Sequence, residues 1–142
     1  SVRSTLAAGE CRGVTIADQQ SAACQRTAAL DLTTNWITSG RPIDAVFANN
    51  DEMAIGAIQA LKAAGKPMED VVIVGIDATP DGLAAMQAGD LDVTVFQNAA
   101  GQAAAAVDAP LALARHEPVS RQLMVPFELV APASMARYSG RN

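Results

Sequence analysis

Three polar residues stand where short apolar runs of the chain end, and their side chains are suited to hydrogen bonding with a ligand. Asn50 and Asp77 each follow one such run, and Gln97 follows a third. In an open α/β sheet, ligands bind outside the carboxyl ends of the strands. An amide donates and accepts hydrogen bonds and a carboxylate accepts them in two directions, so the three residues suit a ligand with neighbouring hydroxyl groups. Each of them could instead simply cap a helix, and it is their shared position at strand ends that favours a binding site.

The chain carries no pattern that assembles a catalytic centre. Its one histidine, His116, lies in a polar stretch and is expected at the surface. Gly65 and Lys66 are followed by proline where a phosphate-binding loop needs Ser or Thr. The paired acids Asp51 and Glu52 are best explained by helix capping, because acids are favoured in the first turn of a helix. We therefore expect no enzyme, no cofactor and no metal site.

Length, composition and charge exclude several other classes of function. The 142 residues are 50% hydrophobic and 18% charged, as in one globular domain with a real core. A net charge of −5 and scattered basic residues argue against nucleic-acid binding. No apolar run is long enough to predict a membrane span. Since the chain starts at Ser1 without a signal-like segment, we expect a processed or truncated chain.

The two cysteines leave two readings open. Cys11 and Cys24 match no zinc pattern. They could form one disulfide in an oxidising compartment or remain two free thiols.

Alternating strand and helix patterns must position the three polar residues. Apolar runs predict strands at residues 13–17, 44–48, 71–74 and 93–96, with a last extended segment within residues 122–129. Helical spacing predicts helices at residues 22–37, between Asp51 and Gly65, at residues 81–88 and at residues 99–115. We expect Trp36 in the core and a kink or break at Pro110. The alternation predicts a single three-layer α/β domain over residues 1–142, with a mostly parallel sheet and helices on both faces.

Several motifs resemble those of a known family. The segments DAVFANNDEMAIG, VGIDATPDG and DVTVFQ, at residues 44–56, 74–82 and 92–97, resemble the type I periplasmic sugar-binding proteins of bacterial ABC importers, above all the ribose, rhizopine and inositol binders. The segments LDLTTNWITSG and VPFELVAPASMARY, at residues 30–40 and 125–138, resemble the same group, and the latter leans toward its inositol-type members. The effector domains of lactose-repressor-type transcription regulators share this fold, but the TPDG sequence after the aspartate is more similar to the importers.

The resemblance implies a function and a set of roles. Asn50, Asp77 and Gln97 match the family residues that hydrogen-bond the hydroxyls of a pentose or inositol-like ligand. Cys24 stands where the family usually has an aromatic that stacks on the sugar ring. The implied setting is the periplasm and the implied partner an ABC permease. The alternatives are the effector-binding lobe of a transcription regulator and an interaction domain that has lost the ligand.

The resemblance also implies that the chain matches one lobe of a two-lobed protein. The matching part is the C-terminal lobe, and the family topology sends the chain across the hinge near Gln97 and back near Pro126. Residues 99–121, a helix and its connection, would then pack on the N-terminal lobe. In this chain alone the helix would expose an apolar face, so that either it repacks locally or a second copy covers it. Of the two we predict a homodimer.

Overall fold

The computed structural model describes residues 4–5 and 13–141, and within them an α/β fold. The helices are α1 (Arg26–Thr38), α2 (Asp51–Ala63), α3 (Pro80–Gln87) and α4 (Ala99–Ala114), with short 3-10 turns at Met68–Asp70 and Met135–Arg137. The strands are β1 (Ala45–Phe47), β2 (Val72–Val74), β3 (Thr94–Phe96) and β4 (Glu128–Val130). The strand predicted at residues 13–17 is wrong, because these residues are exposed and pair with no described strand. No described helix is long and apolar enough to cross a membrane.

The strands form one mostly parallel arrangement. β1 pairs with β2 in parallel, with Phe47 opposite Val74. Parallel bridges from Val74 to Val93 and from Asp77 to Phe96 join β2 to β3, and β4 pairs antiparallel with β3. The spatial order is therefore β1-β2-β3-β4. This confirms the predicted α/β class with a mostly parallel sheet.

Helix α2 is the centre of the hydrophobic core. Its apolar side packs on β1 and β2, and Leu61 and Ile73 are fully buried there. On its other side α2 packs closely against α1, where a Cβ atom at Gly56 would lie 2.2 Å from the carbonyl oxygen of Arg26. Only glycine permits this approach. The core thus fixes α2, and with it the turn between β1 and α2.

Trp36 lies outside this core, so the prediction that it is a core residue is wrong. Its indole is half-buried, and Nε1 donates a hydrogen bond to Asp18 Oδ2 at 3.0 Å. The amphipathic pattern of α1 identified a side of the helix that is shielded from solvent. Tryptophan nevertheless carries a polar N–H that needs a partner, and the half-buried carboxylate of Asp18 supplies one.

Helix α4 stands apart from the core. None of its residues is buried, and its apolar side chains Val107, Leu111 and Leu113 are 59%, 49% and 61% exposed. The helix runs unbroken through Pro110, so the predicted break does not occur. Because α4 is open to solvent, water can bond the backbone carbonyl that a proline leaves unpaired.

Candidate ligand-binding site

Asn50 lies at the turn from β1 into α2. Its backbone is extended and its side-chain Oδ1 accepts a hydrogen bond from the Met53 backbone N–H at 2.9 Å, so it caps α2. Among the described residues, Nδ2 of Asn50 has no hydrogen-bond partner. The cap therefore orients the side chain and leaves two donor hydrogens at the edge of the sheet. The two readings of Asn50, a helix cap and a ligand contact, are compatible.

Asp77 lies at the next turn, where the chain leaves β2 for α3. Its φ of 115° and the φ of 53° at Ala78 are values that favour glycine. The Asp77 backbone N–H donates to the Val95 carbonyl oxygen at 2.8 Å, which ties this turn to β3. Burial raises the pKa of the Asp77 carboxyl, and the hydrogen bond from Gln97 partly offsets the rise.

Gln97 lies directly after β3 and touches Asp77. Its side-chain Nε2 donates to Asp77 Oδ1 at 2.5 Å. Its backbone carbonyl oxygen accepts a hydrogen bond from the side-chain amide of Gln102. The Asn50 turn is joined to the Asp77 turn by a bond of 2.7 Å from the Asp51 N–H to the Ile76 carbonyl oxygen. The structure thus brings all three predicted residues to one edge of the sheet, with Asp77 and Gln97 in direct contact.

A fourth residue at this edge, Asp51, was assigned to helix capping in the sequence, and that assignment missed its role. Its carboxylate is fully buried and accepts three hydrogen bonds: from the Thr79 N–H at 2.7 Å, the Thr79 Oγ1 at 3.1 Å and the Thr94 Oγ1 at 2.7 Å. Burial raises its pKa; the hydrogen bonds from Thr94 and Thr79 lower it, and the nearby Asp77 charge adds to the rise. The signal that could have identified it is the pair of threonines, Thr79 at the N-cap of α3 and Thr94 at the start of β3.

Two glycines make room for that carboxylate. A Cβ atom at Gly75 would lie 2.3 Å from Asp51 Oδ1, and one at Gly82 would lie 2.2 Å from Asp51 Oδ2. Distances this short exclude any side chain at either position without movement of the carboxylate. The burial of Asp51 therefore depends on Gly75 and Gly82, which lie 24 and 31 positions farther along the chain.

An ion-pair cluster links three helices near the same edge. Arg26, at the start of α1, donates to both carboxylate oxygens of Glu52, from Nε at 2.9 Å and from Nη2 at 2.7 Å. The same Nη2 lies 2.8 Å from Asp81 Oδ2 in α3. These bonds raise the pKa of Arg26, with the bond to Glu52 the largest cause. Sequence reasoning missed this cation, because nothing in the local pattern shows that residues 26, 52 and 81 meet.

An open depression adjoins the Asn50 turn. It has a volume of about 530 Å³ and is lined by Cys24, Asn49 and Met53 together with residues 19–23. Cys24 is exposed, bonds to no other cysteine among the described residues, and has a φ of 59°. Cys11 lies outside the described residues, so the structure does not test a disulfide between Cys11 and Cys24.

Comparisons with known proteins agree on one family. Residues 1–118 match the family described as "Periplasmic binding protein domain". A Rhizobium meliloti protein named for rhizopine binding is 55% identical over 141 residues, which are 99% of this chain and 46% of that protein. The ribose import binding protein of Salmonella typhimurium is 47% identical over 78 residues, 55% of this chain and 26% of that protein.

Solved structures give the same result. An ABC transporter solute binding protein from Bacillus halodurans with bound myo-inositol is 46% identical, with a TM-score of 0.88 over 97% of this chain and 47% of that one. The Caulobacter myo-inositol binding protein bound to myo-inositol is 31% identical, with a TM-score of 0.86 over 96% of this chain and 46% of that one. The chain thus spans about half the length of the relatives that it matches over nearly its whole extent.

Proposed function

The chain belongs to the periplasmic binding protein domain family, and from this premise we propose that it is a sugar- or polyol-binding lobe of an ABC importer's substrate-binding protein. The ligand is a pentose or an inositol-like polyol, held through its hydroxyl groups by Asn50, Asp77 and Gln97. The role is binding without chemistry, in line with the relatives named for rhizopine and ribose binding. An ABC permease in the membrane and a periplasmic location complete the proposal.

One observation carries it: the hydrogen bond between Gln97 Nε2 and Asp77 Oδ1 at the carboxyl edge of the sheet. This pair offers carboxylate oxygens as acceptors beside an amide that can both donate and accept. The Nδ2 of Asn50 adds donors from the neighbouring turn. A hydroxyl group must donate one hydrogen bond and accept others, so two adjacent hydroxyls of a polyol match this set.

The charge of the site supports a neutral ligand. Asp77 and the buried Asp51 both lie at this edge, and Arg26 is already paired with Glu52 and Asp81. A phosphate or carboxylate ligand would meet two negative charges with no uncommitted cation among these residues. Myo-inositol and ribose carry no charge and avoid this repulsion.

A nuclear magnetic resonance titration of the chain with myo-inositol and with ribose tests the function. One edge of a sheet covers only one side of a ligand, and small-molecule sites normally bury most of the ligand surface. We therefore expect weak binding, which chemical-shift changes detect where calorimetry does not. The shifts should be largest at the side-chain amides of Asn50 and Gln97.

Matched variants locate the site. Asp77→Asn removes a charged acceptor and should weaken binding about 10- to 100-fold, since hydrogen bonds to charged groups contribute about 1.5–3 kcal/mol. Asp31→Asn, an exposed acid on α1, makes the same charge change away from the site and should leave affinity unchanged. Shifts that map to other residues, or equal affinity for both variants, would reject the assignment.

We further propose that the exposed side of α4 and its connection pack on a second unit. In a two-lobed relative that unit is the other lobe, and for this chain alone it is a second copy. The exposed apolar side chains Val107, Leu111 and Leu113 are the feature that supports it. Residues 123–129 also expose apolar side chains, with Met124 at 85% and Phe127 at 63% exposed.

Sedimentation equilibrium measures this association directly. The chain should show a dimer mass that dissociates on dilution, and Val107→Glu should shift the equilibrium to monomer because it places a charge in the apolar face. Gln59→Glu adds a charge to the exposed side of α2 and serves as the control. A monomeric mass at millimolar concentration would rule out the homodimer.

A further inference from the structure

The buried carboxylate of Asp51 connects the three turns that carry the polar residues of the site. Asp51 itself is the first residue of α2, next to Asn50. Its Oδ2 accepts from the backbone and hydroxyl of Thr79, two residues after Asp77. Its Oδ1 accepts from the hydroxyl of Thr94, three residues before Gln97. One side chain thus contacts each of the three segments.

The direction of the hydrogen bonds is fixed by the backbone. The hydroxyl of Thr94 accepts from the Ala78 N–H at 3.1 Å, and the hydroxyl of Thr79 accepts from the Gly82 N–H at 3.0 Å. Backbone N–H groups can only donate, so each hydroxyl hydrogen is directed to Asp51. The carboxylate is therefore the single acceptor for three donors, a role that a neutral hydrocarbon side chain cannot fill.

The turn between β2 and α3 has a strained backbone, and its hydrogen bonds hold it in place. Ala78 is fully buried with a φ of 53°, and its N–H donates to the hydroxyl of Thr94, which in turn donates to Asp51. Asp77, with a φ of 115°, precedes it and points its carboxylate toward Gln97. Backbone conformations of this kind persist only where the surroundings hold them. The orientation of Asp77 toward a ligand thus depends on contacts made one residue later.

From this geometry we infer that Asp51 is a positioning residue of the ligand site: without touching the ligand, it holds Asn50, Asp77 and Gln97 in register. Thr79 and Thr94 transmit its effect, and Gly75 and Gly82 make space for it. The inference rests on the proposed function for its relation to a ligand, but the positioning itself can be measured without one.

The experiment compares Asp51→Asn with Leu61→Ala in the full chain. The asparagine keeps the shape of the side chain but replaces one acceptor oxygen with a donor, whereas Leu61→Ala lowers stability from the core without contacting the site. Amide exchange at Ala78 and Thr79 and the side-chain amide signals of Asn50 and Gln97 are recorded at a temperature where both variants are folded. We expect Asp51→Asn to speed exchange at both amides at least tenfold and to move both side-chain signals, while Leu61→Ala moves neither signal.

A second pair keeps the test decisive if Asp51→Asn does not fold. Thr94→Val removes the hydroxyl that links Asp51 to Ala78, and Thr94→Ser retains it. The valine variant should reproduce the changes in exchange and in the Gln97 signal, and the serine variant should restore the wild-type values. Equal behaviour of valine and serine, or unchanged Asn50 and Gln97 signals in Asp51→Asn, overturns the inference.

Measuring the affinity of the same variants for myo-inositol extends the test to ligand binding. If the wild-type chain binds, Asp51→Asn should bind about tenfold more weakly and Leu61→Ala with unchanged affinity. An equal affinity of wild type and Asp51→Asn contradicts the positioning role. If the wild-type chain binds neither myo-inositol nor ribose, the proposed function fails, while exchange and side-chain signals still decide the role of Asp51.

Discussion

Helices α2 and α4 begin in the same way and end in different environments. Each follows a strand of the sheet, and each is capped by an asparagine side chain: Asn50 accepts from the Met53 N–H at 2.9 Å and Asn98 from the Gly101 N–H at 3.0 Å. Eight residues of α2 are buried and none of α4 is. The asparagine cap is therefore common to both helices, and what separates them is packing.

The composition of α4 is typical of a buried helix. Asp108 is its only charged residue, and most of the rest are alanine, leucine or valine. A helix that is apolar all round is normally covered by other parts of a protein. In α2, by contrast, the exposed positions are polar where no neighbour exists, as at Gln59. The contrast supports the proposal that α4 packs on a second unit, whereas α2 is already largely buried within this chain.

The largest expected effect compares one leucine from each helix. Leu61→Ala in α2 should lower the free energy of unfolding by about 2–5 kcal/mol, because it leaves a cavity in the core. Leu111→Ala in α4 should change it by about 0.5 kcal/mol or less, because the side chain is 49% exposed. Urea unfolding followed by circular dichroism measures both. Similar losses, at a concentration where the chain is monomeric, would mean that α4 packs on the core.

A pair of glycines gives the next largest effect. Gly82→Ala in α3 forces a methyl group against the Asp51 carboxylate and should destabilise the fold by about 1–3 kcal/mol. Gly101→Ala in α4 meets only the side chain of Asn98, at 2.6 Å from Nδ2. That side chain can move, and alanine favours helix, so the net change should stay below about 1 kcal/mol. Thermal unfolding of the two variants tests the difference, and a more harmful Gly101→Ala would contradict it.

The two asparagine caps separate global from local stability. Asn50→Ala should lower the global free energy of unfolding by about 1 kcal/mol, since α2 belongs to the core. Asn98→Ala should leave the global transition in place and instead speed amide exchange in the first turn of α4, because that helix can fray alone. Hydrogen exchange and urea unfolding on the same samples distinguish these results. A shift of the global midpoint in Asn98→Ala would show that α4 is coupled to the core.

The last prediction concerns the direction of a pH effect at Asp77, in the turn between β2 and α3. Burial raises the pKa of Asp77 in the folded chain above its usual 3.8. As pH falls through the folded pKa toward 3.8, the folded state takes up the proton first, so this residue's contribution to stability rises at acid pH and is lost as pH increases. Asp77→Asn should therefore gain stability relative to wild type at neutral pH, with the advantage shrinking toward pH 4. Unfolding measured across that range checks it, and a growing advantage at low pH would contradict the cause.

The sequence predicted most of the fold because its strongest signals are local. The order of strands and helices from β1 to β3 follows the predicted segments within a few residues, since each combines an apolar run with a cap or a stop. The predictions failed where the local structure depends on residues that are distant in the sequence. A strand at residues 13–17 needs a partner strand, and the surroundings of Trp36 depend on Asp18. At Pro110 the helix stays continuous, so the break does not occur.

The candidate site divides in the same way. The placement of Asn50, Asp77 and Gln97 at one edge follows from parallel strands alone, and the contact between Asp77 and Gln97 agrees with it. The role of Asp51 was missed, because its position at the start of a helix is already explained by capping. Its burial arises from a cavity that Gly75 and Gly82 create from elsewhere in the chain.

The left-handed backbone at Asp77 and Ala78 affects the unfolded chain as well as the folded one. Glycine would reach the same φ values with less strain, but it would also give the unfolded chain more conformations to lose. With aspartate and alanine in place, the folded turn is held by the hydrogen bonds of Asp77 to Val95 and of Ala78 to Thr94. The carboxylate is consequently oriented before any ligand arrives, and the entropy of ordering it is lost in folding and not at the moment of binding.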